Sequence, residues 1–214
     1  MAERPVFVPL KKAPYTDIFP VDFQWSPGLS VSQKQKNITA LHAAFNRRFP
    51  ERKVLEISFK SLQPEGVALS AFNLKKFVPS MGRSVPVECI YQGGKVFAAG
   101  GPYTDLYESH PRDAKRDSRL KESGDMKSFC FEGEMLPLRP MTAFYDCLYI
   151  SALTENPELA AKVLEYDGFT DIEYNSQKSL NCQARAAAMF VALHREGLLD
   201  KAANYGEFLM LYKR

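Results

Sequence analysis

The sequence predicts an α+β fold, a helix-rich single domain with a small, mostly antiparallel sheet. Two observations lead there. Three long segments, around residues 30–49, 140–155 and 184–197, space their apolar residues for helices, whereas strand-like alternation is confined to short runs beside Gly-containing turns. The chain has 214 residues, 45% of them hydrophobic and 12% aromatic, enough apolar material for one good-sized core. Repeats and low-complexity tracts are absent from the sequence.

Residues 1–22 read as an extended arm across the surface, because Pro5, Pro9, Pro14 and Pro20 forbid regular helix around them. Residues 23–200 form the expected catalytic domain and 201–214 a tail. In Phe23-Gln-Trp-Ser-Pro-Gly-Leu-Ser-Val-Ser-Gln-Lys34 the only Trp precedes a Pro-Gly turn, and Ser30-x-x-Gln33 matches a capping box. Ile38, Leu41, His42, Phe45 and Phe49 follow at helical spacing, so this helix is expected to run to about Phe49, before Pro50. Its first turn gathers Ser30, Ser32 and Lys34 around free amides, a combination that suits an anion; an ordinary cap stapled by Trp25 would look the same.

Lys53–Lys60 alternates Leu55, Ile57 and Phe59 with Glu56, Ser58 and Lys60, predicting a half-buried strand whose polar face meets solvent or a cleft wall. Residues 62–83 read as loop around a short helical segment from Ala68 to Phe77. Val85–Tyr91 and Lys95–Ala98, separated by Gly93-Gly94, suggest a β-hairpin. In Ala99-Gly-Gly-Pro-Tyr-Thr-Asp-Leu-Tyr-Glu108 paired glycines would admit a ligand, and Tyr103 and Tyr107 would stack on a flat ring. The spacing matches neither a Walker loop nor a dinucleotide fingerprint. Residues 109–125 mix charges as a solvated face does, though Arg112, Lys115, Arg116, Arg119 and Lys121 could instead track a phosphate backbone at the rim of a site. Phe129–Pro140 reads as a strand, a turn at Gly133 and the approach to a helix opened by Pro140. That helix directs Phe144, Cys147, Leu148 and Ser151 to the core and Thr142, Tyr145, Asp146 and Tyr149 elsewhere. Asn156-Pro157 opens another helix, and Ala186, Met189, Phe190 and Leu193 define a last one ended by Gly197.

The richest stretch chemically is Tyr166–Arg185, which packs Asp167, Asp171, Glu173, Lys178, Asn181, Gln183 and Arg185 around aromatics. If it is extended, Asp171 and Glu173 project to one face. Paired acids suit cleavage at a sugar carbon, one carboxylate steadying an oxocarbenium ion and activating water while another group protonates the leaving base. An exposed turn solvating its own charges is the structural alternative.

Global charge is mild, +3 with a pI near 8.6. That argues against a dedicated nucleic-acid wrapper and leaves room for a local basic face. No apolar run approaches a membrane span, and Met1–Val6 lacks the apolar segment of a secretory signal, so a cytoplasmic protein without membrane contact is expected. The four cysteines show no C-x-x-C spacing and lie far from the three histidines, which predicts free thiols and no metal site.

Five separated motifs carry a family likeness: Phe23–Lys36, Leu55-Glu-Ile-Ser-x-Lys-Ser61, Gly100-Gly-Pro-Tyr-x-Asp-Leu-Tyr107, Pro140-x-Thr-x-Phe-Tyr-Asp-x-Leu-Tyr-Ile150 and Phe169-Thr-Asp-Ile-Glu-Tyr-Asn-x-x-Lys-Ser-x-Asn-Cys-Gln-Ala184. Together, over about residues 20–200, they resemble the NADAR-domain antitoxins encoded beside DarT toxins. The resemblance implies an enzyme that removes ADP-ribose from guanine in DNA, undoing the work of an NAD-using, DarT-like toxin as its genetic partner. Its substrate would be ADP-ribosylated, single-stranded DNA, its product ADP-ribose, and its cofactor none. Catalysis would fall to Glu173 and Asp171, with Asp146 or Tyr145 in support. Trp25, Tyr103 and Tyr107 would stack on a base, Ser32, Lys34, Lys60 and Ser61 would hold pyrophosphate or ribose, and Asp105 and Asn181 would line the site. The wider family includes YbiA-like N-glycosidases, which cleave a phosphorylated small metabolite. Those carry a Thr-Ser-Glu-His-Tyr segment where this chain has Met141-Thr-Ala-Phe-Tyr145, so Ala143 stands in the place of that glutamate. Which carboxylate is the base stays open, and so do a metabolite substrate and an antitoxin that binds ADP-ribose or the toxin without cleaving.

Overall fold

The computed structural model describes residues 1–175, 180–202 and 204–212. In chain order the elements are β1 (Ala2–Pro9), β2 (Thr16–Phe23), α1 (Val31–Arg48), β3 (Val54–Glu56), α2 (Pro64–Ala68), β4 (Lys75–Val78), β5 (Arg83–Pro86), α3 (Val87–Gly93) and β6 (Lys95–Phe97). The second half adds α4 (Pro111–Arg116), α5 (Arg119–Glu122), β7 (Met126–Phe131), β8 (Glu134–Pro137), α6 (Ala143–Thr154), α7 (Pro157–Val163), β9 (Gly168–Thr170), α8 (Gln183–Arg195) and α9 (Tyr205–Tyr212). The strands fall into three small sheets, β2-β1-β9-β3, β4-β5 and β6-β7-β8, antiparallel except where β3 pairs with β9. This is the expected α+β class.

The proline-punctuated arm is instead a hairpin. β1 and β2 pair along their whole length, with Pro5 opposite Pro20. Two residues that lack amide hydrogens can face each other where the ladder needs no bond between them, so the prolines fit the pairing. Val6 and Phe23 from this hairpin join Ile38, Leu41 and Phe45 of α1 in a small core. That helix begins and ends as its sequence says, with Ser30 Oγ accepting from Gln33 N at 3.3 Å and the Phe49 amide closing on Phe45 O.

The strand at 53–60 shrinks to Val54–Glu56 because its partner β9 is only three residues long and both lie in the interior. Ile57 N still reaches Thr170 O at 2.8 Å, after which the chain turns and Ser61 N bonds Ser58 O. The helix expected over Ala68–Phe77 lies earlier, at Pro64–Ala68, and Lys75–Val78 is strand.

The first strand of the hairpin expected over Val85–Ala98 is replaced by α3, and the second is present as β6 but pairs with β7. Gly94 sits at φ −75° as the helix cap, not in a left-handed turn. A Cβ on Gly93 would come within 2.6 Å of the Tyr107 ring, so this glycine is required by close packing. The expected strand and turn at Gly133 are present as β7 and β8. α6 is buried on all sides from Ala143 to Ile150, and α8 packs against it. Leu198 N closes on Leu193 O with Gly197 at φ 67°, ending α8 where Gly197 predicts. The expected tail folds back as α9, burying Phe208 and Leu211 in the main core. Among the described residues no helix is long and apolar enough to cross a membrane.

Candidate functional site

β9 delivers the acidic stretch to the floor of a cleft of ≈ 580 Å³ between the turn after β3, α3, the start of α6 and the start of α8. Beyond Thr170 the chain turns instead of staying extended. Glu173 N donates to Asp171 Oδ1 at 3.0 Å, and Tyr174 N donates to Asp171 O at 3.0 Å. Asp171 and Glu173 thus share the cleft through a side-chain-capped turn, not through strand alternation.

The two carboxyls differ in surroundings. Asp171 Oδ2 accepts from Gln183 Nε2 at 3.0 Å, and the Gln183 amide is fixed in turn by Ile57 O at 2.6 Å and by Ala71 N at 2.9 Å. Burial, then the charge of Glu56, pushes the Asp171 carboxyl up to about 7. Glu173 has the opposite fate. Partial burial works against its charge, but a short hydrogen bond and ion pair with Lys60 and the Lys34 ammonium 3.3 Å away outweigh it and hold the carboxyl below its ordinary value. Beneath them lies Glu56 on β3, fully buried. Its carboxylate accepts from Ser58 Oγ at 2.9 Å, Thr170 Oγ1 at 2.6 Å and Ile172 N at 2.9 Å. Burial pushes Glu56 up as well, so the protein gathers three carboxyls at one point and favours a proton among them. His42 Nε2 meets Thr170 Oγ1 at 2.8 Å behind this cluster, and burial lowers its imidazole to about 4.

Lys34 and Lys60, 12% and 11% exposed, place two ammonium groups against the single Glu173 carboxylate. Glu173 lines the cleft, so the two ammonium groups stand beside its acidic end. Trp25 lies under Lys34, 5.4 Å from its Nζ, with Arg4 5.3 Å away. Phe59 and Phe72 continue along the cleft as near-parallel rings with centroids 6.5 Å apart. At the far end Tyr145 and Asn181 line the wall, and Asn181 Nδ2 donates to Tyr91 Oη at 2.5 Å. Among the described residues no group of three His, Cys, Asp or Glu is arranged to hold a metal.

Lys34, Lys60, Asp171 and Glu173 are thus brought together, with Trp25 behind Lys34 and with Tyr145 and Asn181 in the same cleft. The remaining candidates fall elsewhere. Asp146 is fully buried in close contact with Arg185 and the Tyr212 hydroxyl, where burial pushes its carboxyl up against the pull of the guanidinium. It ties α6 to α8 and α9 and does not line the cleft. Ser61 is a buried turn hydroxyl that accepts from Gln63 N at 3.2 Å. Ser32 lines a separate shallow groove along α1. Tyr103 is engaged by Ser123 and by the Arg119 guanidinium 4.5 Å above its ring, and Asp105 pairs with the same Arg119. Tyr107 is core. Lys178 lies outside the described residues.

The family model described as DarT1-associated NADAR antitoxin matches residues 2–214. The chain belongs to that family. A search among curated proteins found no match. The site residues that sequence reasoning missed in this NADAR chain are Glu56, Glu88, Gln92 and Lys95. Glu56 alternates with apolar neighbours and so looks like a solvent-facing residue of a half-buried strand. The other three were read as parts of a hairpin, and only helical spacing of Glu88 and Gln92, four apart, hinted at one polar face.

Proposed function

We propose that this NADAR protein is an ADP-ribosyl hydrolase that removes ADP-ribose from guanine bases of DNA, and that it serves as antitoxin to a DarT1-like DNA ADP-ribosyltransferase. One observation carries the reading: Asp171 and Glu173, adjacent at the cleft floor, are pushed apart in proton affinity, and that pattern separates an acid from a base. Asp171, protonated in part near pH 7, donates a proton to the leaving guanine nitrogen as its bond to the anomeric carbon breaks. Glu173, ionised, faces the positive charge that develops on the ribose and takes a proton from the attacking water. Lys34 and Lys60 would receive the pyrophosphate, which carries the negative charge their surplus calls for. The cleft volume of ≈ 580 Å³ suits a nucleotide-sized ligand.

The test is single-turnover release of ADP-ribose from an oligonucleotide ADP-ribosylated on guanine. Glu173→Gln, folded and still binding ADP-ribose, is expected to lose on the order of 10² to 10⁴ in rate. Full activity in that variant would remove Glu173 from the role.

A further inference from the structure

At the end of the cleft away from Glu173, α3 and β6 build a second polar group that the hydrolytic chemistry leaves unused. Glu88 and Gln92 are each 5% exposed yet line the cleft. Gln92 Nε2 donates to Glu88 Oε1 at 2.8 Å, and Gln92 Oε1 accepts from Lys95 Nζ at 2.6 Å. Both ends of the amide are therefore consumed in linking an acceptor to a cationic donor across it. Lys95 lies 4.7 Å from the Tyr91 ring centroid and has two ammonium hydrogens beyond the one given to Gln92.

Burying a carboxylate and an ammonium in a cleft wall costs several kcal/mol unless their hydrogen-bonding capacity is filled. Gln92 and, at 3.6 Å, the 59% exposed Lys115 occupy Glu88 Oε1, while Oε2 is not an orphaned interior atom and stays open to the cleft. An anionic acceptor beside a donor is the complement of a flat edge that offers N–H next to C=O. Guanine presents that edge, its N1–H and exocyclic N–H beside O6. Adenine and cytosine put a ring acceptor beside an amino donor and offer no ring N–H to the carboxylate; thymine shares an N–H beside C=O but lacks the exocyclic N–H and the second ring that would cover the aromatic wall. Placement fits too. Lys115 Nζ, against Glu88, is also 5.6 Å from the Phe72 ring, and Phe72 stands parallel to Phe59, whose neighbour Lys60 holds Glu173. An aromatic wall therefore runs from the acidic floor to Glu88.

We infer that Glu88 and Lys95, held at fixed spacing by Gln92, form the base-reading subsite of this enzyme and select guanine by its N1–H and O6, the ring lying on the Phe59 and Phe72 wall. Glu88 accepts from N1–H, Lys95 donates to O6, and Gln92 is a positioning residue. The assignment deepens the proposed deglycosylation and rests on it for the choice of base.

Titrating the purified protein with guanosine, 1-methylguanosine and ADP-ribose, followed by ligand-observed NMR or calorimetry, tests it without any turnover. Wild type is expected to bind guanosine at least tenfold more tightly than 1-methylguanosine, whose methyl group occupies the N1 position. Glu88→Gln should weaken guanosine at least tenfold and leave ADP-ribose within twofold. Lys95→Met gives the second arm, and carries the test if Glu88→Gln fails to fold. Equal binding of the two nucleosides to wild type, or a parallel loss of guanosine and ADP-ribose in the variants, would overturn the subsite. Hydrolysis is scored separately: selective guanosine binding without release of ADP-ribose sinks the reaction and keeps the subsite, while release without nucleoside discrimination sinks the subsite alone.

Discussion

Replacing Asp171 by Asn should make the protein more stable and nearly inactive. The wild-type carboxyl is held at about 7 against an ordinary 3.8, first by burial and then by the nearby Glu56 charge. A carboxyl raised in the folded state binds its proton there more tightly than in the unfolded chain. Stability is therefore lost as pH rises from near 4 to near 7 and is level above. The full displacement corresponds to roughly 4 kcal/mol at pH 8. Water in the cleft screens Asp171 and Glu56 shares the proton, which leaves on the order of 2 kcal/mol. Asn keeps an acceptor for Glu173 N but turns an amide toward Gln183 Nε2, giving back about 1 kcal/mol. The net gain of ~1 kcal/mol raises the melting temperature by roughly 2–4 °C for a chain of this length. Thermal unfolding from pH 4 to 8 measures it, with the variant about 1 kcal/mol below wild type at pH 4, where only the altered Gln183 contact counts, and ~1 kcal/mol above it past pH 7. The same variant should lose on the order of 10² to 10⁴ in ADP-ribose release, together with the decline of activity above pH 7 that the acid imposes. A variant that melts below wild type at pH 8, or keeps its release rate, would refute the assignment of Asp171 as a destabilised acid.

Other substitutions probe the rest of the account. Lys60→Met strips Glu173 of its closest cation, so ADP-ribose affinity should fall roughly 10- to 100-fold, the value of a charge-assisted contact, and the loss should shrink at high salt. Arg185→Met leaves the buried Asp146 carboxylate without its guanidinium and should cost roughly 3–5 kcal/mol by denaturant unfolding; a loss under 1 kcal/mol would contradict a buried ion pair there. His42, held down to about 4 by burial against an ordinary 6.5, stays neutral in the fold and makes stability fall as pH drops from about 6.5 toward 4. That slope opposes the one from Asp171, so His42→Gln should flatten it and let the Asp171 trend show in the melting curves.

Patterns confined to a short window were the legible ones. Ser30-x-x-Gln33 marked the start of α1, Gly197 marked the end of α8, and the spacing of Asp171 and Glu173 marked the acid pair even though the segment turns instead of extending. Features fixed by distant partners were not. The half-polar strand around Glu56 is buried on both sides because β9 covers it and Thr170, Ser58 and the Ile172 amide converge on its carboxylate. Gly93-Gly94 reads as a turn, yet Gly93 is required by the Tyr107 ring packed against it, a contact fourteen residues away. Local aromatic and glycine content also misplaced Tyr103 and Tyr107, one covered by its own Arg119 and the other absorbed into the core.

The most direct measurement follows mass after the purified protein, with no metal added, meets two single-stranded oligonucleotides, one ADP-ribosylated on guanine and one on thymine. The proposed function predicts that ADP-ribose leaves the guanine oligonucleotide and stays on the thymine one. Intact guanine-linked ADP-ribose, under conditions where the protein binds free ADP-ribose, would contradict hydrolysis and favour an antitoxin that acts by binding.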